Sequence, residues 1–541
     1  MTVDKNTATD TSPASGPDRR WWALAGVALA VSLVIMDATV VNVALPVMIR
    51  DLGLTASEAE WMNAIYSLMF AALLLTAGRV GDLWGRRRLL LVGMVVFLVA
   101  SVVAGSVSDG GALIGARLGQ GIGAALVLPT TLSTLNAVFV GRQRAIAFAV
   151  WGSTIGGMAA VGPLVGGWLT TDVTWRWAFW INVPVGLVVI AVALYAVPET
   201  RDDSGPRRLD GVGIAFSLVG MGSLVFALIE GLRYGWWRQE TGAISPVPVA
   251  FVLGLVLMTV FVVTQLRRAR AGKVTLVDLG LLQHRSFRYG SIAALVVALG
   301  ELGLLFALPL LLQNALGYSA LGTGGLIVVL ALGTFLVSGA TPQLTRRWGG
   351  RAVVRTGLAL EAVAVGGISL TLTAHVSGAV IAAWLFLYGL GVGMATAQLT
   401  SVILADVPVA ESGQASGLQS TIRQIGSALG VAILGALLIT SLGHQTRASL
   451  VDLGVPAAQS EQIASTVRHS AGGAIPALEA DPSTRQSGAA ARDALISASK
   501  ITTGSAAAVI ALGLAATLAL PPTPPEAGTT RRRRGAAART D

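Results

Sequence analysis

The chain has 541 residues, of which 54% are hydrophobic and only 12% are charged. Uncharged apolar runs of about 20 residues recur along it, which is the length of a helix that crosses a bilayer. We therefore expect an all-α polytopic membrane protein, because the runs are too continuous for the alternating strands of a barrel. The net charge of +10 does not indicate nucleic acid binding, because the arginines cluster in short loops. The absence of cysteine excludes disulfides and thiolate metal sites.

The apolar runs alternate with polar turns, and we predict fourteen membrane-spanning helices from them. Residues 1–20 form a polar, disordered tail in the cytoplasm. The first run is predicted to be an uncleaved span, because no small-residue cleavage site accompanies it. The predicted spans are centred near Leu33, Met69, Phe97, Ala124, Ala159, Val188, Val219, Val256, Leu299, Val329, Ala364, Tyr388, Ala428 and Ala511.

Arginine is distributed unevenly between the two sides of the predicted membrane. The loops that follow the even-numbered spans hold most of it, and the short stretches of the opposite loops hold fewer basic residues. Because basic residues accumulate in cytoplasmic loops, we expect both termini in the cytoplasm and the protein in the cytoplasmic cell membrane. The arginines concerned are Arg86–Arg88, Arg142, Arg144, Arg207, Arg208, Arg267, Arg268, Arg270, Arg346 and Arg347, with Arg531–Arg534 near the C-terminus.

A charged turn joins the second and third predicted spans, where Gly78–Leu90 reads G-R-V-G-D-L-W-G-R-R-R-L-L. Asp82 and Arg86 are four residues apart, so on a helix they lie on one face and can interact. A generic basic turn is the alternative. The glycine spacing around an aspartate instead resembles the signature loop of the major facilitator superfamily. The resemblance implies a conformational gating loop that comprises Gly78, Asp82, Gly85, Arg86 and Arg87.

The segment Gly339–Arg351 repeats the same pattern of small residues, paired arginine and glycine. Two such turns fit the major facilitator fold, in which two six-helix halves pack around a midplane cavity. The resemblance implies an N-terminal half at 21–199, two inserted helices at 200–270 and a C-terminal half at 271–520. The last half includes a predicted extracytoplasmic loop at 442–497, with short amphipathic helix as the alternative for part of it, and an arginine-rich cytoplasmic tail follows at 521–541.

The fourth predicted span contains an arginine, Arg117, within Leu113–Ala125. An arginine inside a span costs at least about 2.5 kcal/mol unless it has a partner or lines a wet cavity. Asp37 in the first span is the expected partner. Burial disfavours the charged carboxylate while the arginine favours it, so Asp37 is a candidate carrier of a coupling proton. The alternative is a structural ion pair that only fixes helix positions.

Further segments resemble the fourteen-helix drug:proton antiporters. Ile35–Pro46 resembles their first-helix motif, and Trp175–Gly186 and Val407–Gly430 resemble their later signatures. The fifth span holds a glycine-rich antiporter motif whose role is close packing around a proline kink. The motif residues are Gly162, Pro163, Gly166 and Gly167. The resemblance also implies cavity or charge-partner roles for Arg117, Asn42, Gln120 and Gln313.

A second intramembrane acid, Glu301, lies deep in an apolar run of the C-terminal half. An ionisable side chain at membrane depth is a functional candidate by default. We expect Glu301 to share proton coupling with Asp37 or to attract a cationic substrate. The alternative is a polar side chain that faces a wet cavity. Glu361 is expected nearer the cytoplasmic end, with Arg355 as its partner.

These features predict a proton-coupled antiporter, not an enzyme, that exports small hydrophobic or cationic organic compounds by alternating access. The sequence lacks a G-x-x-x-x-G-K-[ST] phosphate loop and an H-E-x-x-H helix, so neither ATP nor metal chemistry is expected. We expect no cofactor besides the coupling proton. The expected partners of a monomeric chain are a small-molecule substrate, protons and membrane lipid, without nucleic acid. An exporter of a lipid or a dedicated secondary metabolite is the closer alternative, and a nutrient importer is a further one.

Overall fold

The computed structural model of the chain describes residues 17–139, 141–201, 210–234, 237, 245–273, 275–276, 279–403, 406 and 412–518. Almost all of these residues are helical, and no strand occurs among them. The all-α prediction is confirmed. Most of the predicted N-terminal tail and all of the arginine-rich tail at 521–541 lie outside the described residues.

The helices follow one another through short connections. A π-helical turn at Leu169–Val173 and a 3-10 turn at Leu279–Gln283 lie between them. The helices are α1 (Pro17–Leu52), α2 (Ala56–Trp84), α3 (Arg86–Ser106), α4 (Gly110–Val138), α5 (Gly141–Trp168), α6 (Trp177–Trp180), α7 (Asn182–Ala196), α8 (Gly211–Tyr234), α9 (Pro246–Arg270), α10 (Arg285–Asn314), α11 (Ala320–Trp348), α12 (Gly350–Thr371), α13 (Gly378–Ile403), α14 (Ser412–Asp452), α15 (Ala457–His469), α16 (Ile475–Ala480) and α17 (Arg485–Thr517).

Glycines with positive φ terminate helices at both ends of the bundle. Gly53 (φ 63°) lies between α1 and α2, and Gly85 (φ 119°) alone separates α2 from α3. Gly349 (φ 80°) makes the corresponding one-residue turn between α11 and α12, where the sequence pattern repeats. Residues with a side chain rarely adopt these angles, so glycine allows one helix to stop and the next to begin at once. We refer to the Gly53 end and the Gly85 end of the bundle.

The helices pack as two groups with a third pair beside them. α1 packs on α4, α5 and α7, and α4 also packs on α2 and α3. α10 packs on α13, α14 and α17, and α12 packs on α13 and α17. α8 and α9 pack on each other, while α8 also contacts α2 and α14. These contacts show which helices lie together. They do not test the residue boundaries predicted for the two halves.

The largest contacts between the first group and the second are those of α5 with α11, α2 with α14 and α1 with α10, and α1 also contacts α11. Their described contacts include several toward the Gly53 end. Gln313 Nε2 donates to the Val43 carbonyl oxygen at 2.9 Å, and the Leu321 amide donates to Thr171 Oγ1 at 3.0 Å. A Cβ on Gly167 would lie 2.7 Å from the Ala320 carbonyl oxygen. These contacts close the Gly53 end.

Twelve described helical segments are long and apolar enough to cross a membrane. They are α1, α3, α4, the α6–α7 segment, each helix from α8 to α14, and α17. α2 and α5, with 29 and 28 residues, are also long enough to cross, but some of their side chains are outside the described set. Fourteen spans stay a prediction.

Residues 442–497, the predicted loop for which short amphipathic helix was the alternative, are mostly helical. α14 continues to Asp452, α15 and α16 follow, and α17 begins at Arg485. A search for long apolar runs does not detect these helices, because a helix outside the membrane needs only one apolar face. Val467, Ile475 and Leu495 supply that face and are buried. The segment forms a helical cap at the Gly53 end.

Candidate functional site

Asp37 lies near the middle of α1, and its side chain is fully buried. Its Oδ2 accepts a hydrogen bond from Arg117 Nη1 at 2.6 Å. Its Oδ1 accepts from Gln120 Nε2 at 2.7 Å and from Asn182 Nδ2 at 2.9 Å. The expected ion pair of Asp37 with Arg117 is present, and two amides complete the shell around the carboxylate.

The guanidinium of Arg117 is also enclosed by protein groups. Its Nε donates to the Met62 carbonyl oxygen at 3.2 Å, and its Nη1 donates to Gln120 Oε1 at 2.8 Å. The guanidinium carbon lies 4.3 Å from the centroid of the Tyr66 ring. Because a buried ion pair is tolerated only when its remaining polar atoms are satisfied, this network holds α1, α2, α4 and α7 in fixed positions.

The second group of helices contains a looser ion pair. Arg423 Nη2 on α14 lies 3.4 Å from Glu301 Oε2 on α10. The Glu301 side chain is 14% exposed and that of Arg423 is 38% exposed, against 0% and 1% for Asp37 and Arg117. A charged guanidinium at membrane depth faces water rather than lipid. Glu301 is therefore the more accessible of the two predicted proton carriers.

Two further polar side chains lie behind this pair. Glu361 on α12 and Tyr388 on α13 are fully buried. Neither oxygen of Glu361 nor the Tyr388 hydroxyl has a hydrogen-bond partner among the described residues. Glu301 and Arg423 lie near enough to act electrostatically on both. A carboxyl buried without a partner fits its neutral form much better than its charged form.

Glu361 does not make the ion pair with Arg355 that the sequence suggested. Arg355 Nη2 instead donates to the Thr517 carbonyl oxygen at 3.0 Å, at the end of α17. The helical positions of Arg355 and Glu361 are six residues apart, and residues on one helix meet when they are three or four apart. The expectation was therefore geometrically weak.

Two other predicted cavity residues do not join the Asp37 network. Asn42 Nδ2 donates to the Ala38 carbonyl oxygen of its own helix at 3.2 Å. Gln313 joins α10 to α1 through Val43, as described above. Arg117 and Gln120 therefore contact Asp37, whereas the hydrogen bonds of Asn42 and Gln313 lead elsewhere.

The predicted gating loop is attached to neighbouring segments of the first group. Arg86 Nη1 donates to the Ser133 carbonyl oxygen at 3.3 Å, and the Arg87 amide donates to Glu199 Oε1 at 3.2 Å. Glu199 also lies 3.7 Å from Arg88 Nε, and a Cβ on Gly85 would collide with the Glu199 carboxylate.

Two other predicted residues of the gating loop lie on α2. Gly78 is half-buried, and the side chain of Asp82 lies outside the described set.

The antiporter motif packs α5 tightly between α1 and α11. A Cβ on Gly162 would collide with Thr39, and one on Gly166 would lie 3.0 Å from the backbone of Val40. On the other side of α5, Gly167 faces Ala320, while the Pro163 carbonyl faces Gly324. The motif residues Gly162, Pro163, Gly166 and Gly167 thus form contacts both within the first group and between the groups.

Three contributors to these sites were missed in the sequence. Asn182 lies in the Trp175–Gly186 segment that the sequence singled out, but no spacing assigned its amide to Asp37. Ser101 accepts hydrogen bonds from Gln120 at 2.9 Å and Asn182 at 3.2 Å, and a serine in an apolar span carries no signal of this. Glu199 follows the last apolar residues of a span, where its acidic charge beside a basic loop was the available signal.

The chain is similar in sequence to known proteins over most of its length. The Major Facilitator Superfamily sequence model matches residues 27–431. The chain is 36% identical to the probable actinorhodin transporter of Streptomyces coelicolor, over 82% of this chain and 77% of that protein. It is also 36% identical to puromycin resistance protein pur8 of Streptomyces alboniger, over 83% and 87%. Multidrug efflux pump LfrA of Mycolicibacterium smegmatis is 34% identical, over 78% and 81%.

Solved structures show the same fold at lower sequence identity. A bacterial homologue of the human lysosomal transporter Spinster, in an inward-facing and occupied conformation, has a TM-score of 0.62 and 18% identity. The match covers 94% of this chain and 97% of that one. The human organic anion transporter MFSD10 has a TM-score of 0.55 and 16% identity, over 93% and 100%.

Proposed function

Because the chain belongs to the major facilitator superfamily, we propose that it exports small hydrophobic or cationic organic compounds, including antibiotics, in exchange for protons. The observation that carries the proposal is the set of relatives at 34–36% identity, which are named for antibiotic transport, antibiotic resistance and multidrug efflux. Each matches this chain over roughly four fifths of its length, so the likeness covers both groups of helices.

Export requires that cargo enter at one end of the bundle and leave at the other. We assign the Gly85 end to the cytoplasm, because Arg86–Arg88 and Arg346–Arg347 lie there. The contacts of α5 with α11 and of α2 with α14 close the opposite end. Cargo leaves when these contacts separate, and the one-residue turns at Gly85 and Gly349 then lie at the closing end. The chain acts as a monomer in a cell membrane.

Glu301 is the better placed of the two predicted proton carriers. Its pairing with Arg423 is a single contact at 3.4 Å in a water-accessible position. Protonation of Asp37 would remove the negative charge that pairs with Arg117 and leave the guanidinium charge uncompensated in a dry site. We assign the coupling proton to Glu301, with the buried carboxyl of Glu361 beside it. Asp37 then holds α1, α4 and α7 in fixed relative positions during the cycle.

One proton provides enough energy for export. Each charge that moves inward across 100 mV gains about 2.3 kcal/mol. Because each 1.4 kcal/mol changes an equilibrium tenfold, this energy sustains a roughly 50-fold gradient of a neutral compound. Exchange of one proton for one neutral cargo molecule is therefore sufficient, and no nucleotide is needed.

The test is cargo-driven discharge of a proton gradient. Purified protein is placed in liposomes with an acidic interior, and ethidium or the neutral antibiotic chloramphenicol is added while an internal dye reports pH. We expect cargo to accelerate proton release from wild-type liposomes and not from those with Glu301→Gln. Glu461→Gln is the matched control, since Glu461 is an exposed acid in the helical cap and should leave release unchanged.

The outcomes separate coupling from transport. Proton release in Glu301→Gln at the wild-type rate would remove Glu301 from coupling. Cargo uptake without proton release in the wild type would show a transporter that is not proton-coupled. Failure of all compounds to move, in liposomes that contain folded protein, would contradict export of this class of compound.

A dedicated exporter of one secondary metabolite is the second candidate. It is favoured by the 36% identity to the probable actinorhodin transporter. The same liposomes distinguish the two functions, because a dedicated exporter responds to one metabolite and not to ethidium or chloramphenicol.

A further inference from the structure

A third buried acid, Glu60, lies outside both carboxylate sites. It occupies the first turns of α2 near the Gly53 end, and its side chain is 1% exposed. Its Oε2 has no hydrogen-bond partner among the described residues. An ionised carboxylate in this position would be a buried charge without compensation, which proteins avoid by binding a proton.

Glu230 on the inserted helix α8 lies beside it and is also buried. Glu230 Oε1 accepts a hydrogen bond from Ser57 Oγ at 2.8 Å and from Trp61 Nε1 at 2.9 Å. These two donors precede and follow Glu60 on α2, so the Glu230 carboxylate is held close to that of Glu60. The two acids act on each other electrostatically. Two carboxylates in one dry site favour a state in which at least one is protonated.

The third wall of this site is α14, which belongs to the other group of helices. A Cβ on Gly435 would lie 3.0 Å from Glu60 Oε1. The carboxylate therefore packs directly on the α14 backbone, at the α2–α14 contact that must separate during transport.

The described charged side chains on α4 and α15 make other contacts. On α4, Arg117 is paired with Asp37. On α15, Glu461 is paired with Arg447, Arg468 packs on Gly443, and His469 bonds to Ser465. α14 presents Gly435 at this point. Among the described side chains, Glu230 is thus the charged group that faces Glu60.

We propose that Glu60 and Glu230 form a proton-binding site at the contact of α2, α8 and α14, and that its proton holds the Gly53 end closed. When α14 moves away from α2, water hydrates Glu60 and the proton can leave toward the Gly53 side. Because the proton binds the closed state more tightly, proton binding and closure favour each other by linkage. The site is sealed while the Gly85 end is open, so this proton is not carried across.

The inference rests on the alternating access of the proposed function, but on neither its cargo nor its coupling proton. The wild-type chain has no cysteine, so an introduced pair provides the only thiols. Ser108 and Ala448 are exposed, lie toward the Gly53 end and belong to different groups of helices. Spin labels on Ser108→Cys and Ala448→Cys therefore report opening of that end by pulsed dipolar spectroscopy.

The labelled protein is studied in phosphatidylcholine–phosphatidylglycerol nanodiscs without cargo, from about pH 5 to about pH 9, a range that includes the titration of buried carboxyls. We expect the short-distance population to decrease as the pH rises. One linked proton changes the ratio of closed to open protein by at most about tenfold per pH unit. Glu60→Gln, which resembles the protonated acid, should stay at the short distance throughout.

Two further variants complete the test. Glu230→Gln removes the neighbouring negative charge, so Glu60 should lose its proton more readily and opening should begin at lower pH. This variant keeps the proposal testable if Glu60→Gln fails to fold. Glu461→Gln is the matched control and should open at the wild-type pH.

Two results would overturn the inference. One is a wild-type distance that does not change with pH, and the other is a pH response that persists unchanged in folded Glu60→Gln. Failure of the proposed function is recognised separately, because Glu301→Gln should lose cargo-driven proton release while it keeps the pH-dependent distance.

Discussion

Asp37 and Arg117 carry opposite charges in a site from which water is excluded. Two amide donors stabilise the buried carboxylate, and a carbonyl oxygen and an aromatic ring face stabilise the buried guanidinium. The pair is therefore stable only as a complete set, since loss of one member leaves the other as an uncompensated buried charge.

Replacement of Asp37 by asparagine should destabilise the protein through Arg117. We expect a loss of about 3–5 kcal/mol, the usual cost of breaking a buried pair from one side. It should appear as a lower melting temperature of the purified protein. Asp37→Asn combined with Arg117→Gln should recover much of the loss, because no unpaired charge remains.

The double variant also separates structure from proton coupling. If it is stable and still releases protons when cargo is added, Asp37 is a structural residue. If its melting temperature stays as low as that of Asp37→Asn, the loss does not come from the unpaired Arg117, and the argument from buried charge fails.

At the scale of elements, two single glycines set the sharp turns α2–α3 and α11–α12. Gly85 and Gly349 both have positive φ, but their surroundings differ. A Cβ on Gly85 would meet Glu199, whereas one on Gly349 would meet nothing within 4 Å. The repeated pattern in the sequence therefore predicts the same backbone twice, while only the first turn is also packed against an acid.

Alanine at these two glycines should have unequal effects. In both variants, alanine must adopt a backbone conformation that is essentially restricted to glycine, which costs roughly 1–3 kcal/mol. Gly85→Ala should lose additional stability and slow cargo efflux, because Glu199 must move and release the Arg87 amide. Melting temperatures and initial efflux rates of the two variants provide the comparison. Equal losses would show that the Glu199 contact contributes nothing.

The sequence predicts the features that depend on local pattern. The apolar runs predict helices across a membrane, and glycine next to paired arginine predicts the turns. It also predicts the pairing of Asp37 with Arg117, because a buried arginine requires an acid and few acids occur at that depth. Asn182 could not be assigned in the same way, since an amide in a helix has many uses and only the tertiary packing of α7 selects one.

The individual helices of the helical cap could not be placed from the sequence. Residues 442–497 lack a long apolar run, so a search for spans treats them as a loop. Their helices are stabilised by packing of α15 and α16 on α14 and α17, with the apolar residues spread over several short segments. Such packing depends on contacts that are distant in the chain, and periodicity within one segment carries little of it.

At the scale of the whole molecule, glycine contacts hold the two groups of helices together at the Gly53 end. Gly167 and Gly324 let α5 and α11 approach until backbone touches backbone, and Gly435 lets α14 approach Glu60 on α2. Such contacts stabilise the closed Gly53 end because many atom pairs meet there, and all of them are lost when the helices separate. They suit an interface that has to form and break in every transport cycle.

Gly167→Ala tests this interface directly. The new Cβ would lie 2.7 Å from the Ala320 carbonyl oxygen, and a backbone atom cannot rotate away. We expect the closed Gly53 end to be disfavoured, with longer distances between labels at Ser108 and Ala448 and slower efflux. Gly325→Ala, on the facing helix, is the matched control, because a Cβ there meets nothing within 4 Å. Both changes raise helix propensity by about 1 kcal/mol, so propensity cancels in the comparison. Identical distances and rates in the two variants would mean that close approach of α5 and α11 does not set the balance between the two states.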